Sequence, residues 1–398
     1  MASLKRLLGL VLAARLSSSA RGSSSSAGIY CEDIDTYFAD LSTASEIDLG
    51  TVTSIECPAN EDRALQSEIL VESGKTVTIK SAEPTVRFIN VRFTLEEGAT
   101  LVFDIPETTI GPNHQEADIP PGETFALNDN ASLTFMGNFG ATAISNVGSL
   151  FENVGDTGIS IEFKGDALFD SNRCNIFSRN NGILKFRGDA SLLNNQYLGI
   201  VNSGEEGFVR FSKTATFIDN GGGFDGTSGC SVVNRADSAV IFRGDTVFSD
   251  HACEAPAVSN RGKMRFYGKA YFHDNFSFED SGGGFSNSGD LVFKGAVQLY
   301  RNKADNAGAF ASGGSTVFEK RVTITDNGAQ NNGGAFIVSG GTVTFERPDK
   351  VQASGNYIYG GQISGGEVQI VTGCSLADVQ DGTLTGFPFD DVCLEVTV

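Results

Sequence analysis

FKGDALFDSN (residues 163–172), FRGDASLLNN (186–195), FSKTATFIDN (211–220) and FRGDTVFSDH (242–251) are successive versions of one ten-residue line, continued by FYGKAYFHDN (266–275) and FKGAVQLYRN (293–302). Each opens on an aromatic anchor. In five of the lines glycine follows two residues later (Gly165, Gly188, Gly244, Gly268, Gly295), which suits a bend between two short strands. Four after the anchor stands a small or β-branched residue (Ala167, Ala190, Ala215, Thr246, Ala270, Val297), and six after it a large apolar one (Phe169, Leu192, Phe217, Phe248, Phe272, Leu299). Side chains alternate across a strand, so these two share one face and that face points inward. Nine after the anchor comes asparagine (Asn172, Asn195, Asn220, Asn275, Asn302, Asn327), with His251 the exception.

Outward from these lines the anchor recurs along the chain: Ile79, Phe103, Phe135, Phe163, Phe186, Phe211, Phe242, Phe266, Phe293, Phe318, Phe345 and Ile370. A third segment closes each repeat, as in GGGFSNSG (282–289), NAGAFASGG (306–314) and NGGAFIVSGG (332–341). A unit of roughly 25 residues made of three short strands cannot bury its own apolar face and must stack on its neighbours. The fold class is therefore all-β: a right-handed single-stranded parallel β-helix, a solenoid of about 12 coils of roughly 25 residues each. The right hand is the expectation for parallel crossovers. At ~4.8 Å per coil the rod is on the order of 58 Å long. Four regions are expected: a leader (1–27), an N-terminal cap with the first coils (28–125), the repeat domain (126–372) and a C-terminal cap (373–398).

Composition agrees. The 398 residues include 48 glycines and 30 phenylalanines but no tryptophan, which fits many short strands joined by tight turns. The formal net charge of −20 opposes binding to phosphate backbones, so no nucleic-acid partner is expected. Lys5 and Arg6 precede an apolar run and a small-residue stretch, the layout of a secretory signal; the acid-free, Ser-rich leader also fits an organelle transit peptide. The localisation expected is secreted or cell-surface, with an organelle lumen as the alternative. No later stretch has the roughly 18 apolar residues of a membrane span. The seven cysteines contain no CxxC pair, which argues against zinc. Cys31, Cys57, Cys374 and Cys393 bracket the two ends and are candidates for disulfides that would staple them.

The FxxN motif (Phe169–Asn172, Phe217–Asn220, Phe272–Asn275), paired with a downstream GGA turn at Gly333–Phe336, resembles the repeats of chlamydial polymorphic outer-membrane adhesins. More broadly the chain is similar to the pectin-lyase-like β-helix superfamily. The resemblance covers about residues 130–365. It implies the solenoid fold, and adhesion or polysaccharide chemistry as the functional range.

Asp219, Asp250 and Asp274 lie two residues after the inward aromatic in successive repeats, which would place three carboxylates side by side as a Ca²⁺ site. His251 and His273 lie beside them as candidate acid–base groups. Against this stands a turn column in which Asp satisfies backbone. Arg187-Gly188-Asp189 and Arg243-Gly244-Asp245 spell an integrin-type tripeptide, at a position the repeat itself explains. Asn130 and Asn275 fit the N-glycosylation pattern, although Asn275 also belongs to the asparagine column. No histidine is flanked by glycines as in polygalacturonase-like hydrolases. The leading expectation is a non-catalytic β-helix that presents an elongated acidic surface to a polysaccharide, a cation or a surface protein. The alternatives are a Ca²⁺-dependent lyase or glycoside hydrolase of the same superfamily, and a structural matrix or coat component.

Overall fold

A computed structural model describes residues 27–30, 45–56, 67–111, 124–144, 149–153, 157–197, 199–205, 207–221, 231–339, 341–347, 350–358 and 383–385. Among these the chain is all-β, winding as a parallel β-solenoid of about 10 turns of about 26 residues. The strands form three long sheets of 13, 13 and 11 strands and a fourth of 5.

The anchor sheet runs from Glu46–Asp48 through strands such as Ser160–Phe163 and Phe208–Phe211 to Thr342–Phe345. Its register pairs every anchor with the next: Ile79 with Phe103, Phe103 with Phe135, and so on to Phe318 with Phe345. Ile47 extends the column one coil earlier, while Ile370 lies outside the described residues. Parallel stacking at one coil per strand brings like rings face to face, with centroids 4.7 Å apart for Phe186–Phe211 and 4.8 Å for Phe211–Phe242. The second sheet, with strands such as Ala167–Asp170 and Ala215–Ile218, stacks the small inward residues on each other and the large ones likewise, Phe217 on Phe248 at 4.6 Å. The third sheet adds another aromatic file, Phe93, Phe125, Phe151 and Phe177. Rings of different files meet edge to face, as Phe211 meets Phe217 at 5.7 Å, so the interior is one continuous apolar column. Each such ring pair adds about 0.5–1.5 kcal/mol beyond burial itself.

From Glu46 onward the described strands of the region 28–125 belong to the same sheets. One feature departs from the expected three-sided coil. In the C-terminal half a fourth sheet appears: Ala252–Cys253, Phe276–Ser281, Lys303–Asn306, Gly328–Asn332 and Tyr357–Ile358. The cause is chain length at one corner. The third-sheet strand starts three positions after Asn172, at Asn175, but ten positions after Asn275, at Phe285, which leaves room for an extra strand. At the C-terminal end Thr383–Thr385 pairs antiparallel with Thr342–Phe345, covering an open parallel edge.

The glycine bends are explained by close approach of coils. A Cβ on Gly268 would overlap the carbonyl of Gly244, and one on Gly295 the carbonyl of Gly268, so this corner has room for backbone only.

Candidate functional site

The asparagine column is a buried ladder. Asn195 Nδ2 donates to Asn220 Oδ1 (2.7 Å) and to Phe169 O (3.1 Å), and its backbone N–H donates to the same Asn220 Oδ1 (3.1 Å). The pattern repeats for Asn172, Asn275, Asn302 and Asn327, and extends to Asn356. All are at most 1% exposed. A primary amide suits this place because it offers an acceptor to the preceding coil and two donors of its own. A second amide ladder, missed in the sequence, runs beside the third sheet: Asn180, Asn202, Asn234, Asn260 and Asn287, linked at 2.7–2.9 Å.

His251 occupies a rung of the first ladder. Asn220 N–H donates to its Nδ1 (3.0 Å), as it would to an amide oxygen, and its Nε2 lies 2.9 Å from Ser231 Oγ. Burial drives its pKa down to about 3, which keeps the ring neutral. At 1% exposure it meets no substrate, so its candidacy as an acid–base group is withdrawn.

Asp219, Asp250 and Asp274 follow one another on successive coils, but the reason for aspartate is conformational. Ser171, Asn194, Asp219, Asp250, Asp274, Arg301 and Asp326 all have φ between 50° and 61°, one residue before the ladder asparagine. This corner requires the left-handed region, which Asp and Asn tolerate better than other side chains. The three carboxylates do not converge: among the described residues no group of three or more His, Cys, Asp or Glu is placed to hold a metal ion. Asp274 is engaged with Arg301 (2.6 Å) and with Nδ1 of His273 (2.9 Å). Burial opposes its charge, but the hydrogen bonds from Arg301 and His273 outweigh burial and lower its pKa. His273 also stacks on Tyr300 at 4.7 Å, so the second histidine is a packed, half-buried rung of the outer surface.

The two Arg-Gly-Asp tripeptides are likewise built into the scaffold. Asp189 Oδ1 accepts from Thr214 N–H (3.0 Å) and Asp245 Oδ1 from Lys269 N–H (2.9 Å), each pinning the next coil. Asp166 and Asn138 do the same at this position. Asn275 is withdrawn as a glycosylation site, because its Nδ2 is buried and donates to Phe248 O and Asn302 Oδ1. Asn130 is exposed. Cys31, Cys57, Cys374 and Cys393 lie outside the described residues. Cys253 is buried. Cys174 is free and buried, its pKa pushed up to about 12 by desolvation, which makes it a poor nucleophile.

What the register gathers on the outside is charge. On six consecutive anchor-sheet strands with the bend residue after each, the outward positions carry Lys164, Lys185, Arg187, Arg210, Arg243, Lys263, Arg265 and Lys294. Only two acids, Glu162 and Asp290, share those positions. The local balance is +6 on a chain of −20, leaving −26 for the rest. Glu162 pairs with Arg187 (2.7 Å), Asp290 pairs with Arg265, and Lys294 reaches Glu319 on the next coil (2.8 Å). Lys164, Lys185, Arg210, Arg243 and Lys263 make no ion pair among the described residues. Tyr267, exposed, stands between Arg243 and Lys294, whose charges lie 5.9 and 5.8 Å from its ring centre. At the centre of the strip Arg210 Nε and Ser212 Oγ are covered by neighbours and have no hydrogen-bond partner. Sequence reading missed this strip because its members stand a whole repeat apart, and only the stacking of coils makes them neighbours.

No helix among the described residues is long and apolar enough to cross a membrane. The chain matches no protein-family model, and comparison with curated proteins and with solved structures likewise finds no match.

Proposed function

We propose that this protein is a secreted or cell-surface, non-catalytic β-solenoid that presents long, regular, charged faces for adhesion to an elongated partner. One observation carries the reading. The side chains whose chemistry suggested catalysis or metal binding are committed to the scaffold, His251 and Asn275 as buried rungs and Asp219 and Asp250 at left-handed corners. The outer surface instead gathers eight cations into one strip on a chain whose net charge is −20. A flat parallel sheet repeats its outward side chains every ~4.8 Å along the rod, a spacing suited to a partner that is itself extended. The leader-like N-terminal segment supports an oxidising compartment. The likeness of the FxxN and GGA repeats to those of surface adhesins points the same way, by analogy of fold.

The test is to incubate the purified protein with a panel of charged polysaccharides, with and without Ca²⁺, following binding together with the release of unsaturated or reducing ends. Binding without product is the expected result. Product formation in either condition overturns the reading.

A further inference from the structure

We infer that the basic strip on the anchor sheet, from Lys164 to Lys294, is a binding face for a single extended sulfated polysaccharide chain lying along the solenoid axis. This rests on the adhesive reading above and names the partner. Three observations support it. First, the strip is concentrated and bounded. In the column just after the anchors, Lys164, Arg187, Ser212, Arg243, Tyr267 and Lys294 follow in register, while Asp104 and Met136 precede them and Glu319 and Glu346 follow. Six strands at ~4.8 Å give a charged length on the order of 24 Å.

Second, five of its cations lack an anionic partner among the described residues, and the three that have one are spaced among them. Side-chain cations left unpaired in a row repel each other and gain from an external anion. Sulfate esters suit this role: they hold their charge at all physiological pH values and present several oxygens to Arg and Lys donors. A uronate chain bridged by calcium has no counterpart here, because the described residues hold no metal-binding group of acids.

Third, the strip is narrow. Its two main columns are two residues apart on each strand, ~7 Å, and the −26 that remains lies on the rest of the molecule. A thin chain can stay within the strip, whereas a wide duplex or a lipid bilayer would extend beyond it over a chain whose remaining charge is −26. The uncompensated Arg210 Nε and Ser212 Oγ sit in the middle of this face, where a small side-chain movement would bring them to ligand oxygens.

The experiment uses the full chain and heparin as probe, with polygalacturonate, duplex DNA and phosphatidylserine vesicles as the other arms. Heparin binding should be tightest and should weaken steeply with salt. The double variant Lys185→Gln/Arg243→Gln should lose at least tenfold in affinity and flatten the salt dependence by roughly 0.7–0.9 per cation removed, as for other polyanions. The control Lys75→Gln/Lys303→Gln changes net charge equally at exposed sites off the strip and should bind as the parent does. Circular dichroism and thermal melting confirm that both variants fold. Should Lys185→Gln/Arg243→Gln fail to fold, Lys164→Gln/Lys263→Gln removes two other unpaired cations and carries the same expectation. Equal loss in strip variant and control, or tighter binding of uronate, DNA or vesicles than of heparin, overturns the inference. Binding of a different extended partner that is insensitive to the strip variant would overturn it while leaving the adhesive reading standing.

Discussion

Replacing His251 by asparagine should remove most of a specific acid sensitivity. In the folded chain the imidazole is fully enclosed, with a pKa near 3, against an ordinary value of 6.5 when the chain is unfolded. Between those two values the unfolded state binds a proton that the folded state refuses. Stability from this group is therefore complete above pH 6.5 and declines as the pH falls towards 3. At pH 5 the loss relative to pH 8 is about 2 kcal/mol, from ~1.4 kcal/mol per unit over the 1.5 units below 6.5. His251→Asn replaces the titrating ring by the amide found at the other rungs, and offers Asn220 Nδ2 the side-chain acceptor that Asn195 supplies to Asn172. It forfeits the contact with Ser231 Oγ. The assay is urea unfolding followed by far-ultraviolet circular dichroism at pH 8 and pH 5, for parent and variant. Carboxylates titrate alike in both, so the quantity of interest is the difference between their pH-induced losses. A difference near 2 kcal/mol is expected; parallel losses would refute the neutral buried imidazole.

Phe211→Ala removes a ring stacked on Phe186 and Phe242, and should cost about 3–5 kcal/mol by denaturant unfolding. Gly268→Ala forces a methyl against the Gly244 carbonyl and should cost about 1–3 kcal/mol, whereas Gly140→Ala, whose nearest neighbour is 3.8 Å away, should melt within a degree or two of the parent. Asp250→Ala at φ 61° should destabilise by about 1 kcal/mol while Asp250→Gly does not; equal effects would show that the carboxylate matters beyond the backbone angle. Asp189→Ala loses the bond to Thr214 N–H and should cost about 1 kcal/mol in thermal unfolding, whatever its effect on any integrin assay.

The anchors, glycine bends, inward pairs and first amide ladder were legible in the sequence because each is demanded by packing at a nearly constant offset from the anchor. The second ladder was not, since its rungs stand 6, 9, 8, 6 and 6 residues before the next anchor, from Asn180 to Asn287. That corner absorbs changes in chain length, and a fixed-period reading blurs there. Asp219, Asp250 and Asp274 were seen as a column but read for charge. Only the positive φ shared with Ser171 and Arg301 reveals the demand that put them there. His251 was already placed in the asparagine column by the sequence, but it looked like an available base because only the structure shows that column to be buried. The basic strip is hidden for the opposite reason: a strongly acidic composition averages away eight cations that three-dimensional register collects on one face.

The amide ladder also has a direction. In every linked pair the acceptor belongs to the later coil: Asn172 N–H waits for Asn195, Asn195 for Asn220, and Asn302 for Asn327. A chain delivered from its N-terminus, through a ribosome or a secretion pore, would complete each turn only when the following one had arrived. The growing tip would always be the least satisfied part of the molecule. Folding would then advance as a front behind the point of delivery, and a stall in that delivery would leave one open rung as the place where assembly could resume.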